Sequence, residues 1–172
     1  MNTIKMDPLS NYSVNYMLAE KLGAILLSRN LKCAVAESCT GGSLAAAITD
    51  IPGSSQWFDR GFVTYSNESK QQMLGVSADL IASDGAVSEA VVRAMAEGAI
   101  KTSSASISVA ISGVAGPDGG SLEKPVGSVW IAWADALHAT QAQYYWFAGD
   151  RQAVGQQAIT VALKNLIQLF QI

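Results

Sequence analysis

Within residues 33–43 the chain must stop being a strand, turn sharply and begin a helix. A short apolar run, Cys33 to Ala36, meets Glu37-Ser38-Cys39-Thr40-Gly41-Gly42-Ser43, after which small apolar residues continue to Ile48. Glycines at 41 and 42 let the backbone pass close to a ligand, and the first N–H groups of the next helix carry the positive end of its dipole. Such a turn suits an anion or an oxyanion. Ser38 stands at its mouth, where a serine can act as a nucleophile with developing charge held by the N–H groups just after it. Serine, threonine and glycine are also ordinary helix-start residues, so this stretch alone is equally consistent with simple capping.

The rest of the pattern alternates helices with strands. Apolar residues at 14, 17, 18, 22, 25 and 26 predict an amphipathic helix over 11–30, with Pro8 and Ser10 or Asn11 at its start. Strands are expected at 32–36, 57–64 and 105–112, the last with bulky Ile107, Val109 and Ile111 alternating with small residues. Helical spacing recurs at 40–50, 67–74 and 87–101, with a short helical piece or loop at 80–84, and Gly75 closes the second. Segments 126–134 and 141–147 read as an antiparallel hairpin, and Asp150 is a natural cap for a last helix. The expected architecture is a three-layer α/β/α domain with a mixed, mostly parallel sheet of about five strands ending in that hairpin. It forms one domain over 1–172, with 1–10 a loosely ordered extension.

Composition narrows the function classes. The net charge is −3 and the eleven basic residues are scattered, which argues against a nucleic-acid partner. No run approaches the length of a membrane span, so a cytoplasmic protein is expected. Cys33 and Cys39 lack CxxC or Cys/His grouping, and no metal or other cofactor is expected. His138 is the sole histidine and falls in a turn, where a solvated role fits better than a catalytic one.

Ligands of a doubly wound sheet bind outside the carboxyl ends of its strands. Three polar or glycine-rich loops follow predicted strands: the Ser38 turn, the segment 65–70, and Gly113 to Gly120. Ser38 needs a base, and Lys70, with Tyr65 to pass protons beside it, is the natural candidate if a low-dielectric pocket lowers its pKa. Glu37 or Glu68 would oppose this by pairing with Lys70. The bland alternatives are an exposed helix lysine and a half-buried strand-end tyrosine. Gly113, Gly116 and Gly119 offer a phosphate their backbone, Asp118 can hold a sugar hydroxyl, and Lys124 and Arg151 can meet a phosphate. Trp130, Trp133 and Trp146 lie on or near the hairpin, where core or oligomer contact fits better than base stacking. Cys39 reads as a packed small residue.

Glu37-Ser38-Cys39-Thr40-Gly41-Gly42, Tyr65-Ser66-Asn67-Glu68 with Lys70, Gly85-Ala86-Val87-Ser88, the 113–120 loop, Glu123-Lys124-Pro125-Val126-Gly127 and Gly149-Asp150-Arg151 together resemble the CinA C-terminal domain family over about residues 12–170. The resemblance implies a nicotinamide mononucleotide deamidase that needs no metal, often a homodimer or higher homo-oligomer. It implies Ser38 as nucleophile with Tyr65 and Lys70 around it. On that reading N–H groups at the turn Thr40, Gly41 and Gly42 hold the oxyanion, and Ser112 with the glycine-rich loop, Lys124 and Arg151 hold the substrate. The chain departs from the family pattern at Ser112, commonly threonine, Leu122, often proline, and Gly155, commonly arginine. A nucleotide-binding paralogue with little or no deamidase activity is the alternative reading.

Overall fold

The structure, a computed structural model, describes residues 11–170, so the expected extension over 1–10 and the helix-start residues Pro8 and Ser10 lie outside the described residues. The elements run α1 Asn11–Ser28, β1 Cys33–Glu37, α2 Ser43–Thr49, β2 Phe58–Val63, α3 Asn67–Leu74, α4 Ala78–Asp84, α5 Glu89–Lys101, β3 Ile107–Gly113, β4 Ser128–Asp135, β5 Gln141–Trp146 and α6 Arg151–Gln168, with a 3-10 turn at Ser54–Gln56. The five strands form one mixed sheet in the order β2-β1-β3-β4-β5. β1 pairs in parallel with β2 and β3, and β4 is antiparallel to both its neighbours. Four strands therefore share one direction, and the hairpin supplies the exception.

Side-chain alternation explains the three layers. Cys33 and Val35, Ile107, Val109 and Ile111, and Val129, Ile131 and Trp133 form one bulky face that packs with α1, α2 and α6. The opposite face, Ala34, Ala36, Ala110, Ala132 and Ala134, is small and packs with Val91, Val92 and Met95 of α5. Small residues on both sides bring α5 close enough for the Ser108 hydroxyl to donate to the Ala96 carbonyl at 2.6 Å. Gly98 extends this closeness to α3, since a Cβ there would collide with the Leu74 carbonyl.

Two expectations needed correction. Met17 is exposed rather than on the packed face of α1, which instead buries Asn15 against α6, where its amide donates to Gln156. The helix after the Ser38 turn starts at Ser43, not at 40, because Gly41 and Gly42 have φ of 59° and 98° and carry the chain through left-handed backbone first. Elsewhere Asp150 caps α6 and Gly75 closes α3 as expected, and Ser88 caps α5.

Candidate active site

Ser38 follows the last residue of β1, a strand flanked on both sides, and its N–H donates to the Ile111 carbonyl of β3 at 3.0 Å. The residue, 9% exposed, is thereby held at the carboxyl end of the sheet. Lys70 comes from α3, whose start is held by a capping box between Ser66 and Ser69. Its side chain is 1% exposed. Nζ lies 3.2 Å from Ser38 Oγ and donates to the Thr64 carbonyl at 2.8 Å. No carboxylate lies within 4.0 Å of this amine among the described residues. Burial therefore lowers the Lys70 pKa, and Cys39 would pull it back up only once its thiol ionises.

Glu37 explains why it does not pair with Lys70. Its carboxylate, 1% exposed, accepts from the N–H groups of Gly42, Leu44 and Ala45 at 3.1, 3.0 and 2.8 Å. The carboxylate neutralises the start of α2, so that helix end is not an open anion site. This corrects the expected oxyanion set. The Gly42 N–H is spent on Glu37 and the Gly41 N–H on the Ser38 carbonyl at 3.0 Å, which leaves the Thr40 N–H without a hydrogen bond among the described residues. Sequence reasoning missed this role of Glu37. The signal was present, in an acidic residue ending a fully apolar strand just before a helix.

The remaining candidates line a cleft with two lobes. The smaller, about 280 Å³, holds Ser38, Lys70, Ser112, Asp118 and the glycines 113, 116 and 119. The larger, about 850 Å³, is walled by Thr40, Gly41, the start of α6 and Gly155. Tyr65 and Arg151 line both lobes. The Tyr65 hydroxyl is engaged by Arg151 at 2.5 Å rather than by Ser38 or Lys70, and the same guanidinium donates to the Gly116 carbonyl at 2.6 Å. Tyr65 thus does not sit in the proton path in this structure. The Ser112 hydroxyl donates to the Ala86 carbonyl at 2.7 Å, so its proton is committed to joining the end of β3 to the loop between α4 and α5. Lys124 lines neither lobe; its ammonium donates to the Asp84 carbonyl at the end of α4, at 3.1 Å.

Other groups fall away from the chemistry. Burial pushes the Cys39 thiol up to about 11, which keeps it protonated and poorly nucleophilic near neutrality. His138 sits on the surface beside Asp135 at 3.0 Å. Trp133 is core, Trp130 packs edge-on against Tyr144, and Trp146 is exposed. Among the described residues, no helix is long and apolar enough to cross a membrane, and no cluster of three or more His, Cys, Asp or Glu could hold a metal.

Comparison with known proteins extends the picture. The model of the CinA C-terminal domain matches residues 15–170. A nicotinamide-nucleotide amidohydrolase PncC of Escherichia coli K12 is 55% identical over 153 residues, 89% of this chain and 93% of the relative. The protein of the same name from Pseudomonas putida is 50% identical over 95% of this chain and 98% of its own. Among solved structures, a competence/damage inducible protein CihA from Agrobacterium tumefaciens superposes with a TM-score of 0.89 at 39% identity, covering 91% of this chain and 95% of that one. With a five-stranded mixed sheet, a Ser38–Lys70 contact and a family match spanning nearly every described residue, the chain belongs to the CinA C-terminal domain family.

Proposed function

We propose that the protein hydrolyses the carboxamide of nicotinamide mononucleotide to the carboxylate and ammonia, through a covalent intermediate on Ser38. The observation that carries this is the Lys70 amine, buried, unpaired with any carboxylate and 3.2 Å from Ser38 Oγ. The names of the relatives at 50–55% identity support the substrate. Neutral Lys70 takes the Ser38 proton as Oγ attacks the amide carbon, and the Thr40 N–H faces the developing oxyanion. The resulting ammonium gives its proton to the leaving nitrogen, and ammonia departs. Water then attacks the acyl-enzyme, Lys70 takes its proton, and the carboxylate leaves as Ser38 regains a hydrogen.

Ribose lies, on this reading, along the loop that carries Gly113, Gly116, Asp118 and Gly119, with the pyridine ring near Tyr65. The reading includes a cytoplasmic homodimer or higher homo-oligomer, for which Tyr144 and Trp146, exposed on β5, offer apolar surface. The deciding experiment measures ammonia and nicotinate mononucleotide released from nicotinamide mononucleotide in equal amounts. A protein that binds the nucleotide and releases neither is the binding paralogue instead.

A further inference from the structure

Three side chains that carry charge line the smaller lobe, and two of them are engaged. Lys70 donates to Ser38 Oγ and to the Thr64 carbonyl, and Arg151 gives its guanidinium to the Gly116 carbonyl and the Tyr65 hydroxyl. The third is Asp118, the one carboxylate lining this lobe. Among the described residues it has no hydrogen-bond donor and no cation within 4.0 Å. The other acids near the cleft differ in this respect. Glu37 accepts from three N–H groups at the start of α2, and Asp150 accepts from the Ala153 N–H at 2.9 Å. Lys124, six residues further along the same loop, turns to the Asp84 carbonyl rather than to Asp118.

Asp118 is exposed, and solvent serves an exposed carboxylate well. A flat ring entering a lobe of about 280 Å³ displaces that solvent, and the carboxylate then meets whatever charge the occupant brings. The ring of nicotinamide mononucleotide is a pyridinium, with its positive charge centred on the nitrogen that joins it to ribose. Ribose along the Asp118 loop brings this nitrogen to the loop, while the carboxamide, on the ring carbon two bonds away, reaches Ser38. Lys70 acts there as a neutral amine and so does not repel the ring. We infer that the Asp118 carboxylate pairs with the positive charge of the bound ring and selects amides carried on a cationic ring over those on a neutral one. A neutral ring in the same place strips the carboxylate of water and offers no charge in return, so it loses an attraction and incurs a penalty. The inference rests on the proposed reaction for its substrate and on the lobe for the residue that reads it.

The test uses two ligands that share ribose and phosphate and differ in ring charge: nicotinamide mononucleotide and its reduced, 1,4-dihydro form. Calorimetry on the Ser38→Ala protein, chosen to hold the ligand unreacted, gives the ratio of their affinities with Asp118 intact, with Asp118→Asn and with Asp118→Glu. Asp118→Asn keeps the shape and removes the charge. It should shrink the preference for the cationic ring about threefold to tenfold, the worth of a partly solvated charge pair, with the loss confined to the cationic ligand. Asp118→Glu should hold the ratio within about twofold. The kcat/KM ratio of the Ser38-intact protein should move in the same way, since any difference in reactivity between the two amides cancels when each variant is compared with its parent. A carboxylate that holds a sugar hydroxyl instead would weaken both ligands together, and a ratio unchanged by Asp118→Asn overturns the inference. Asp118-dependent discrimination between the rings by a protein that releases no ammonia keeps the inference and sinks the amidase reading. Ammonia release with a ratio indifferent to Asp118 sinks the inference alone, and a protein that binds neither ligand sinks both.

Discussion

At the scale of a residue, the proposed chemistry turns on Lys70. A lysine withdrawn from water and denied a carboxylate has lost what normally keeps it charged, so its folded pKa falls below the usual lysine value. Activity should therefore rise with pH through that lowered value and level off above it. Lys70→Arg should lose about a hundredfold or more of kcat, because a guanidinium cannot surrender its proton; an active arginine variant would leave Lys70 a purely electrostatic role. The same shift has a consequence for stability. The unfolded chain binds the extra proton over the interval between the lowered folded value and the ordinary one, so stability contributed by this site grows as pH rises through that interval. Thermal melts of the parent should show this gain, and Lys70→Met should lack it. The meeting of Ser38 and Lys70 was legible in the sequence because both follow strands, Ser38 directly after β1 and Lys70 in the helix after β2. That Tyr65 turns to Arg151 was not, since a strand-end tyrosine has no periodicity to say which neighbour its hydroxyl meets.

At the scale of an element, the site depends on how α2 and α3 are held. Glu37 gives α2 three N–H bonds from a buried carboxylate. Glu37→Gln replaces an oxygen by an N–H donor facing N–H donors, and denaturant unfolding should register a loss of about 2–4 kcal/mol. A variant as stable as the parent would show that solvent can serve this helix end equally well. The position of α3, and with it Lys70, depends on Gly98 of α5, where the Leu74 carbonyl leaves no room for a Cβ. Gly98→Ala should cost about 1–3 kcal/mol through overpacking, despite alanine's better helix propensity. It should also lower kcat, since α3 must shift to accommodate it; unchanged kinetics and stability would mean that Gly98 does not set the position of α3. The sequence patterns predicted these helices but not their caps in full. Apolar spacing reports which face is buried, whereas the destination of a carboxylate such as Glu37 depends on where the following turn brings the backbone.

At the scale of the molecule, the bulky face of the sheet takes α1, α2 and α6 and the small face takes α5, while the carboxyl ends of β1, β2 and β3 bring Ser38, Thr64 and the 113–119 loop together. The three layers and a sheet of about five strands ending in a hairpin were readable in advance, because strands alternate with helices and turn signals separate them. The contacts of Arg151, which lines both lobes, were not, because it reaches across from α6 to Gly116 and Tyr65, 35 and 86 positions away in the chain. The central claim is that Ser38 forms a bond to the substrate. It is tested most directly by measuring ammonia release from nicotinamide mononucleotide by the parent and by Ser38→Ala, with nucleotide affinity measured alongside by calorimetry. The predicted result is a fall in turnover of about a thousandfold or more with affinity within about tenfold of the parent. An active parent whose Ser38→Ala variant keeps its full rate would contradict the account.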